Sequence, residues 1–246
     1  MRKLLPTLAF LLLPSLALAL PTFDAVTVNT GSSLTTMTFN HTVGGTCTNI
    51  YIILGNSTVG IPPTMSGVTI GGSPATSLIA VNTPGGDRRS QMYGLARGSS
   101  TGSTAISITY SDTGGVDSAA AISYCGVDQA STGNTSTSSN NDGSAAPALT
   151  VTSSATELVI DCLSNGSGGS DSISAGSGQT SRVSDNTWGA STVNRFLFRM
   201  SEKTGASSTA MTWTGHVTGD DYAYVGVALK SVAVAGGVAR RRIISQ

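Results

Sequence analysis

Charge, aromatic rings and imidazoles are all in short supply in this chain. Asp, Glu, Lys and Arg make up 11% of it and Phe, Trp and Tyr 5%, and the two histidines are His41 and His216. The formal charges cancel, and with Arg2, Lys3 and the Arg240–Arg242 cluster set aside the body holds more acid than base. That argues against nucleic acid as a partner, because its binders concentrate Lys and Arg on one face. Neither histidine has a Cys or carboxylate at zinc-ligand spacing, so no zinc centre is legible. Glutamate occurs at Glu157 and Glu202 alone, and no carboxylate pair of the kind glycoside hydrolysis needs can be identified. Long apolar runs are missing too. Pro6 and Pro14 break the stretch Leu4–Leu18 into pieces shorter than the roughly 20 residues a membrane helix needs.

What that stretch does supply is a secretion signal. Arg2 and Lys3 form a basic start, Leu4–Leu18 an apolar core, and Ala17-Leu18-Ala19 the small-x-small site a signal peptidase cuts. Residues 1–19 are read as a signal peptide cleaved before Leu20, leaving no membrane span, and the chain is expected to be secreted or held at the cell surface. Residues 20–230 form the body, and residues 231–246 a flexible basic tail ending in Arg240-Arg241-Arg242.

The body's apolar residues arrive in short β-branched bursts, among them Phe23–Val28, Ile50–Leu54, Ala105–Tyr110, Ala119–Cys125, Glu157–Leu163 and Tyr222–Leu229. Gly, Asn, Asp, Pro and Ser bound them, the punctuation of strands and turns. In Thr104–Tyr110 the residues Ile106, Ile108 and Tyr110 alternate with Ala105, Ser107 and Thr109, the period of a half-buried strand. No stretch of twelve residues carries a helical period. The pattern predicts an all-β fold: a two-sheet antiparallel β-sandwich of about a dozen strands, of jelly-roll or concanavalin-like type. Ser131–Ala146 and Ser164–Gly178, rich in Ser, Gly and Asn, read as long polar loops.

Several short motifs bear on chemistry. Gly98-Ser99-Ser100-Thr101-Gly102 matches the spacing of a hydrolase nucleophile elbow, but a strand rather than a helix follows it. In so Gly/Ser-rich a chain the match arises by chance, as do the glycosylation sequons at Asn40, Asn56, Asn134 and Asn165. No cofactor is implied. A structural calcium ion is the alternative, with Asp220-Asp221, Asn140-Asn141-Asp142-Gly143 and Gly168-Gly169-Ser170-Asp171 as its oxygen-rich clusters, though none fits a calcium loop. The cysteines Cys47, Cys125 and Cys162 are an odd count for an exported protein. A Cys125–Cys162 bridge and three free thiols both satisfy the sequence. Asp185, Asn186 and Trp188 make the one polar setting in which an indole can stack on a sugar ring, and they are the candidate ligand-binding residues.

His41-Thr42-Val43-Gly44-Gly45, Gly67-Val68-Thr69-Ile70-Gly71-Gly72, Gly126-Val127-Asp128-Gln129 and the closing Tyr222–Lys230 occur in one order along the body. Together they resemble a group of β-sandwich proteins of bacterial export and of tailed-phage virions or tails. The resemblance implies a jelly-roll or concanavalin-like sandwich and transfers no catalytic residue; a signal peptide departs from ordinary phage structural proteins. The function expected is non-catalytic: an exported sandwich binding polysaccharide or another cell-surface glycan in adhesion or coating. The alternatives are a self-assembling structural subunit of a phage appendage or surface assembly, and a polysaccharide-active enzyme.

Overall fold

The computed structural model describes residues 19–32, 34–60, 65–111, 115–130, 132–140, 145–166, 172–188 and 195–233. Residues 1–18 of the segment read as a signal peptide and the Arg240–Arg242 cluster lie outside them, as do Asn141–Gly143 and Gly168–Asp171. The first part of the chain forms β1 (Thr22–Ser32), β2 (Thr36–Val43), β3 (Ile50–Gly60), β4 (Met65–Ile70), β5 (Ser73–Pro74), β6 (Thr76–Asn82), β7 (Arg88–Gly98), β8 (Gly102–Tyr110) and β9 (Gly115–Cys125). The second forms β10 (Thr135–Asn140), β11 (Ala148–Val151), β12 (Glu157–Gly166), β13 (Ser174–Ala175), β14 (Thr180–Trp188), β15 (Arg195–Thr204), β16 (Thr209–Thr214) and β17 (Tyr222–Lys230). The fold is all-β, and no described helix is long and apolar enough to cross a membrane.

The strands form four antiparallel sheets whose orders are related. The first part builds a five-stranded sheet β1-β9-β3-β7-β6 and an outer sheet β2-β8-β4-β5; the second builds β10-β17-β12-β15-β14 and β11-β16-β13. Matching β1 to β10, β2 to β11, β3 to β12, β4 to β13, β6 to β14 and β7–β9 to β15–β17 turns one set of orders into the other. The two halves thus share one winding plan.

Three cores separate four layers. Ile53, Met92, Ala120, Ile122 and Tyr124 of the first five-stranded sheet meet Ile160, Cys162, Phe198, Met200, Val225 and Val227 of the second. Ile52, Leu54, Ala119 and Ala121, on the opposite face, pack on Ile106, Ile108 and Val68 of the first outer sheet. Val159, Leu163, Tyr224 and Ala228 do the same with Met211 and Trp213 of the second. Strands β3, β9, β12 and β17 are therefore buried on both faces, which is why they read as unbroken apolar runs. Strand β8, with one face on a core, alternates as its sequence does: Ile106, Ile108 and Tyr110 are buried while Ala105, Ser103 and Thr109 are exposed. Gly55 lies where the central sheets approach most closely, since a Cβ there would fall 2.4 Å from Met200 Sδ.

The seventeen described strands exceed the dozen expected, and four sheets replace two. The stretches read as loops hold β10, β13 and the last residues of β12, and Asp185–Trp188 belongs to β14. β10 and β14 are sheet edges, so hydroxyl and amide side chains suffice there and no apolar burst announces them. The Cys125–Cys162 bridge is also corrected: the disulfide joins Cys47 to Cys125, and Cys162 is a buried free thiol. Parity along the strands decides this. Cys125 faces the outer core of the first half, whereas Cys162 points into the central core, on the far side of the β9–β3 sheet.

The bridge spans a sequence separation of 78 residues, and the chain-entropy model credits a loop of that length with roughly 4–5 kcal/mol. Cys47→Ser is expected to lower the denaturant midpoint to that of the reduced protein, measured by urea unfolding with and without reductant. Cys162 is expected to react with a thiol reagent only after unfolding, as read by mass spectrometry.

Candidate functional site

Among the described residues, buried polar groups sort into closed networks and an open site. The most heavily bonded is Asp161 on β12, which has no solvent exposure. Its Oδ1 accepts the Ser201 N–H at 2.6 Å, and its Oδ2 accepts the Tyr224 hydroxyl at 2.6 Å, the Ser201 hydroxyl at 2.9 Å and the Trp213 indole N–H at 3.1 Å. The carboxyl thereby ties β12, β15, β16 and β17 together across two sheets. Burial pushes it up to about 7 against the pull of those hydrogen bonds. With every approach taken by a donor, Asp161 is a structural hub.

His41 forms a second network, and its polarity is opposite to that of an activated serine. Ser123 donates its hydroxyl proton to Asp24 Oδ2 at 2.6 Å, so it can only accept from His41 Nε2, 3.0 Å away. Thr27 Oγ1 in turn donates to His41 Nδ1 at 3.0 Å. Burial lowers the imidazole, opposed by the charge of Asp24, and keeps it neutral. A hydroxyl already bonded to a carboxylate gains no nucleophilicity from such a histidine. Asp24 also lies beside Cys47 and Cys125, but those sulfurs are bonded to each other and offer a metal no thiolate.

A third group gathers where β7 and β17 begin and β12 ends. Thr83 Oγ1 donates to Asp87 Oδ1 at 2.5 Å, and Asp87 shares a hydrogen bond with Asp221. For Asp221, burial and then Asp87 raise the carboxyl; for Asp87, burial is outweighed by Thr83, Arg88 and Asp221, which lower it. Carboxyls in hydrogen-bonding contact are too close for the roughly 5–10 Å separation of glycosidase pairs. His216, nearby, is held by Asn165 Oδ1 at 2.9 Å and edge-on against Tyr222.

Of the residues singled out in the sequence, Asp185 turns inward: its Oδ2 accepts the Ser118 hydroxyl at 3.0 Å and its carbonyl accepts from Arg199 at 2.6 Å. Asn186 and Trp188 end β14, Trp188 opposite Arg195, and their side chains lie outside the described residues. The Gly98–Gly102 turn joins two strands, β7 and β8, with no helix after it. Asp117, 1% exposed, is another buried carboxyl; burial pushes it up to about 7 and its Oδ1 has no partner among the described residues.

The open site is a cavity of about 370 Å³ at the β6–β7 edge, beneath the segment that links the halves. Tyr51, Leu78 and Ala96 supply its apolar walls, and Thr76, Thr132 and Gln129 its polar groups. Gln129 is fixed: its Oε1 accepts the Gly98 N–H at 2.9 Å and its Nε2 donates to the Val127 carbonyl at 2.9 Å. The Tyr51 hydroxyl leans over Gly94, 2.4 Å from where a Cβ would be. No lining side chain is charged. Sequence reading missed this site because its residues come from β3, β6, β7 and the linker and share no motif; the Gly126–Gln129 phrase was its nearest signal. Compared with known proteins, the chain matches no family model, no curated protein and no solved structure.

Asp117 and Asp161 give the protein a definite pH dependence. Both hold protons more tightly folded than unfolded, so their contribution to stability is complete below about pH 4. It is lost as the pH rises through their folded values near 7. The unfolding free energy is therefore expected to fall from pH 4 to 7. Asp117→Asn should flatten that slope and raise the urea midpoint at pH 8 while leaving it unchanged at pH 4.

Proposed function

We propose that this is an exported, non-catalytic β-sandwich that binds a surface polymer, with carbohydrate as the ligand class, in adhesion or coating. One observation carries the reading: the cavity at Tyr51 combines an aromatic ring and aliphatic walls with hydroxyl and amide groups and no charge. That is how a protein meets a sugar ring, whose faces are apolar and whose rim is hydroxyl. Export rests on the signal read in residues 1–19. The polarity of the Ser123–His41 contact supports a role without catalysis.

Each half is further read as a jelly roll. The chain passes alternately between inner and outer sheet from β1 to β4, and the orders β1-β9-β3-β7 and β2-β8-β4-β5 follow from such winding, with β6 added at the edge. The second half repeats this with one outer strand fewer.

Purified protein is expected to bind at least one member of a panel of bacterial and algal polysaccharides, and Tyr51→Ala to weaken that binding by about tenfold or more, near 1.4 kcal/mol. A Trp188→Ala variant run beside it reports on the Asp185–Trp188 edge. Binding lost there and kept in Tyr51→Ala would move the site to β14. A protein that binds none of the panel and self-associates at micromolar concentration would favour the structural-subunit role.

A further inference from the structure

The two halves match strand by strand, and one difference between them explains the cavity. Strand pairing fixes the equivalences. Ile53 pairs with Ile122 and Gly94 as Ile160 pairs with Val227 and Glu202. Thr76 pairs with Gly94 as Thr180 pairs with Glu202. Both routes make Gly94 the counterpart of Glu202. The edge strands then align as Thr76-Ser77-Leu78-Ile79 with Thr180-Ser181-Arg182-Val183, and each carries a β-bulge at the third residue, Leu78 in one and Arg182 in the other. Further on, Ser103-Thr104-Ala105 aligns with Ser208-Thr209-Ala210 and, with no gap, Ala120, Ile122 and Tyr124 with Val225, Val227 and Leu229, all facing the central core. A shared bulge, shared strand orders and shared facing together mark an internal duplication.

In the second half the place equivalent to the cavity is filled. Arg182 forms an ion pair with Glu202, its guanidinium lies 3.9 Å from the centre of the Phe23 ring, and Glu202 Oε2 accepts the Tyr124 hydroxyl at 2.9 Å. Arg182, Glu202 and Phe23 have no large counterpart at the cavity. Leu78 stands for Arg182 and Gly94 for Glu202. Because Val26 pairs with Ile122 as Thr135 pairs with Val227, the segment Thr132–Gly133 falls where Phe23 would.

We infer that the cavity is a ligand site opened by this divergence, that it takes one neutral pyranose ring, and that its counterpart is closed by Arg182, Glu202 and Phe23, so each chain binds one ring. The inference rests on the carbohydrate-binding reading and specifies it. Tyr51 and Leu78 offer surface to the apolar face of the ring, and Thr76, Thr132 and the free N–H of Gln129 offer partners to its hydroxyls. A uronic acid is excluded by the uncharged lining, since a carboxylate buried there would meet no cation.

The test rebuilds the closed site in the open half with Leu78→Arg/Gly94→Glu, and uses Gly94→Ala as a milder second variant, in which the Tyr51 hydroxyl must shift over the cavity. Methyl β-D-glucopyranoside, methyl α-D-mannopyranoside and methyl β-D-glucuronide are the probes. They are read by saturation-transfer NMR and by the ring signals of labelled tyrosine, with thermal unfolding as the check on folding. The wild type is expected to bind one or both neutral glycosides at a single site, shifting the Tyr51 signals, and to bind the glucuronide at least about tenfold more weakly. Both folded variants should lose the neutral glycosides. Neutral binding that persists in a folded Gly94→Ala or double variant would overturn the inference while leaving the carbohydrate reading in place, the site being elsewhere. Equal binding of the glucuronide would overturn the neutral-ring assignment. A wild type that binds neither these glycosides nor any polysaccharide of the panel would sink both.

Discussion

The constraint on which the rest depends is that two five-stranded sheets pack face to face while each also carries a second sheet on its back. Strands β3, β9, β12 and β17 have no solvent face, so the polar groups they bring inside find partners within the protein or, like Asp117 Oδ1, stay buried without one among the described residues. The hydrogen-bonded side chains follow from this. Asp161 is met by donors from three neighbouring strands, and Asn56 donates to the Tyr110 hydroxyl and the Ser118 carbonyl while accepting from Gln91. Ser90 donates across the central core to the Cys162 carbonyl at 2.8 Å. Where the sheets come closest, Gly55 leaves room for Met200 and Cys162.

A winding plan used twice accounts for an architecture this deep in a chain of 246 residues. A single half, with two sheets, would leave its five-stranded sheet bare on one side; two halves bury those sheets against each other. Such a pair is free to diverge wherever side chains do not hold the shared core. The Arg182–Glu202 pair and the cavity at Gly94 are two outcomes at one position, the first spent on closing an edge and the second open to solvent. The disulfide belongs to the first half alone, since Lys230 stands where Cys125 does.

Much of the fold was legible. The alternation of β8 announced a strand with one wet face, and the runs in Ile50–Leu54, Ala119–Cys125 and Tyr222–Leu229 announced buried strands. What they could not announce was burial on both faces, because a continuous apolar run looks the same in a two-layer and a four-layer protein. β10 and β14 escaped because edge strands tolerate Thr, Ser and Asn. Neither reading of the cysteines, a Cys125–Cys162 bridge or three free thiols, gave the Cys47–Cys125 disulfide, because pairing depends on which face a residue takes, a matter of strand parity. The repeat was visible in Thr76-Ser77 and Thr180-Ser181, but its matches are short and separated by strands of unequal length. The candidate site, assembled from four separate segments, left no local trace.

Native-state hydrogen exchange, resolved by residue, tests the central claim most directly. If both halves stand or fall with the face-to-face sheets, the slowest amides of β3, β9, β12 and β17 should open at one common free energy, equal to that of global unfolding, and the outer-sheet strands at or below it. Amides of β12 and β17 that exchange through an opening well below that of β3 and β9 would contradict it, showing two sandwiches joined by a linker rather than one body built on a shared core.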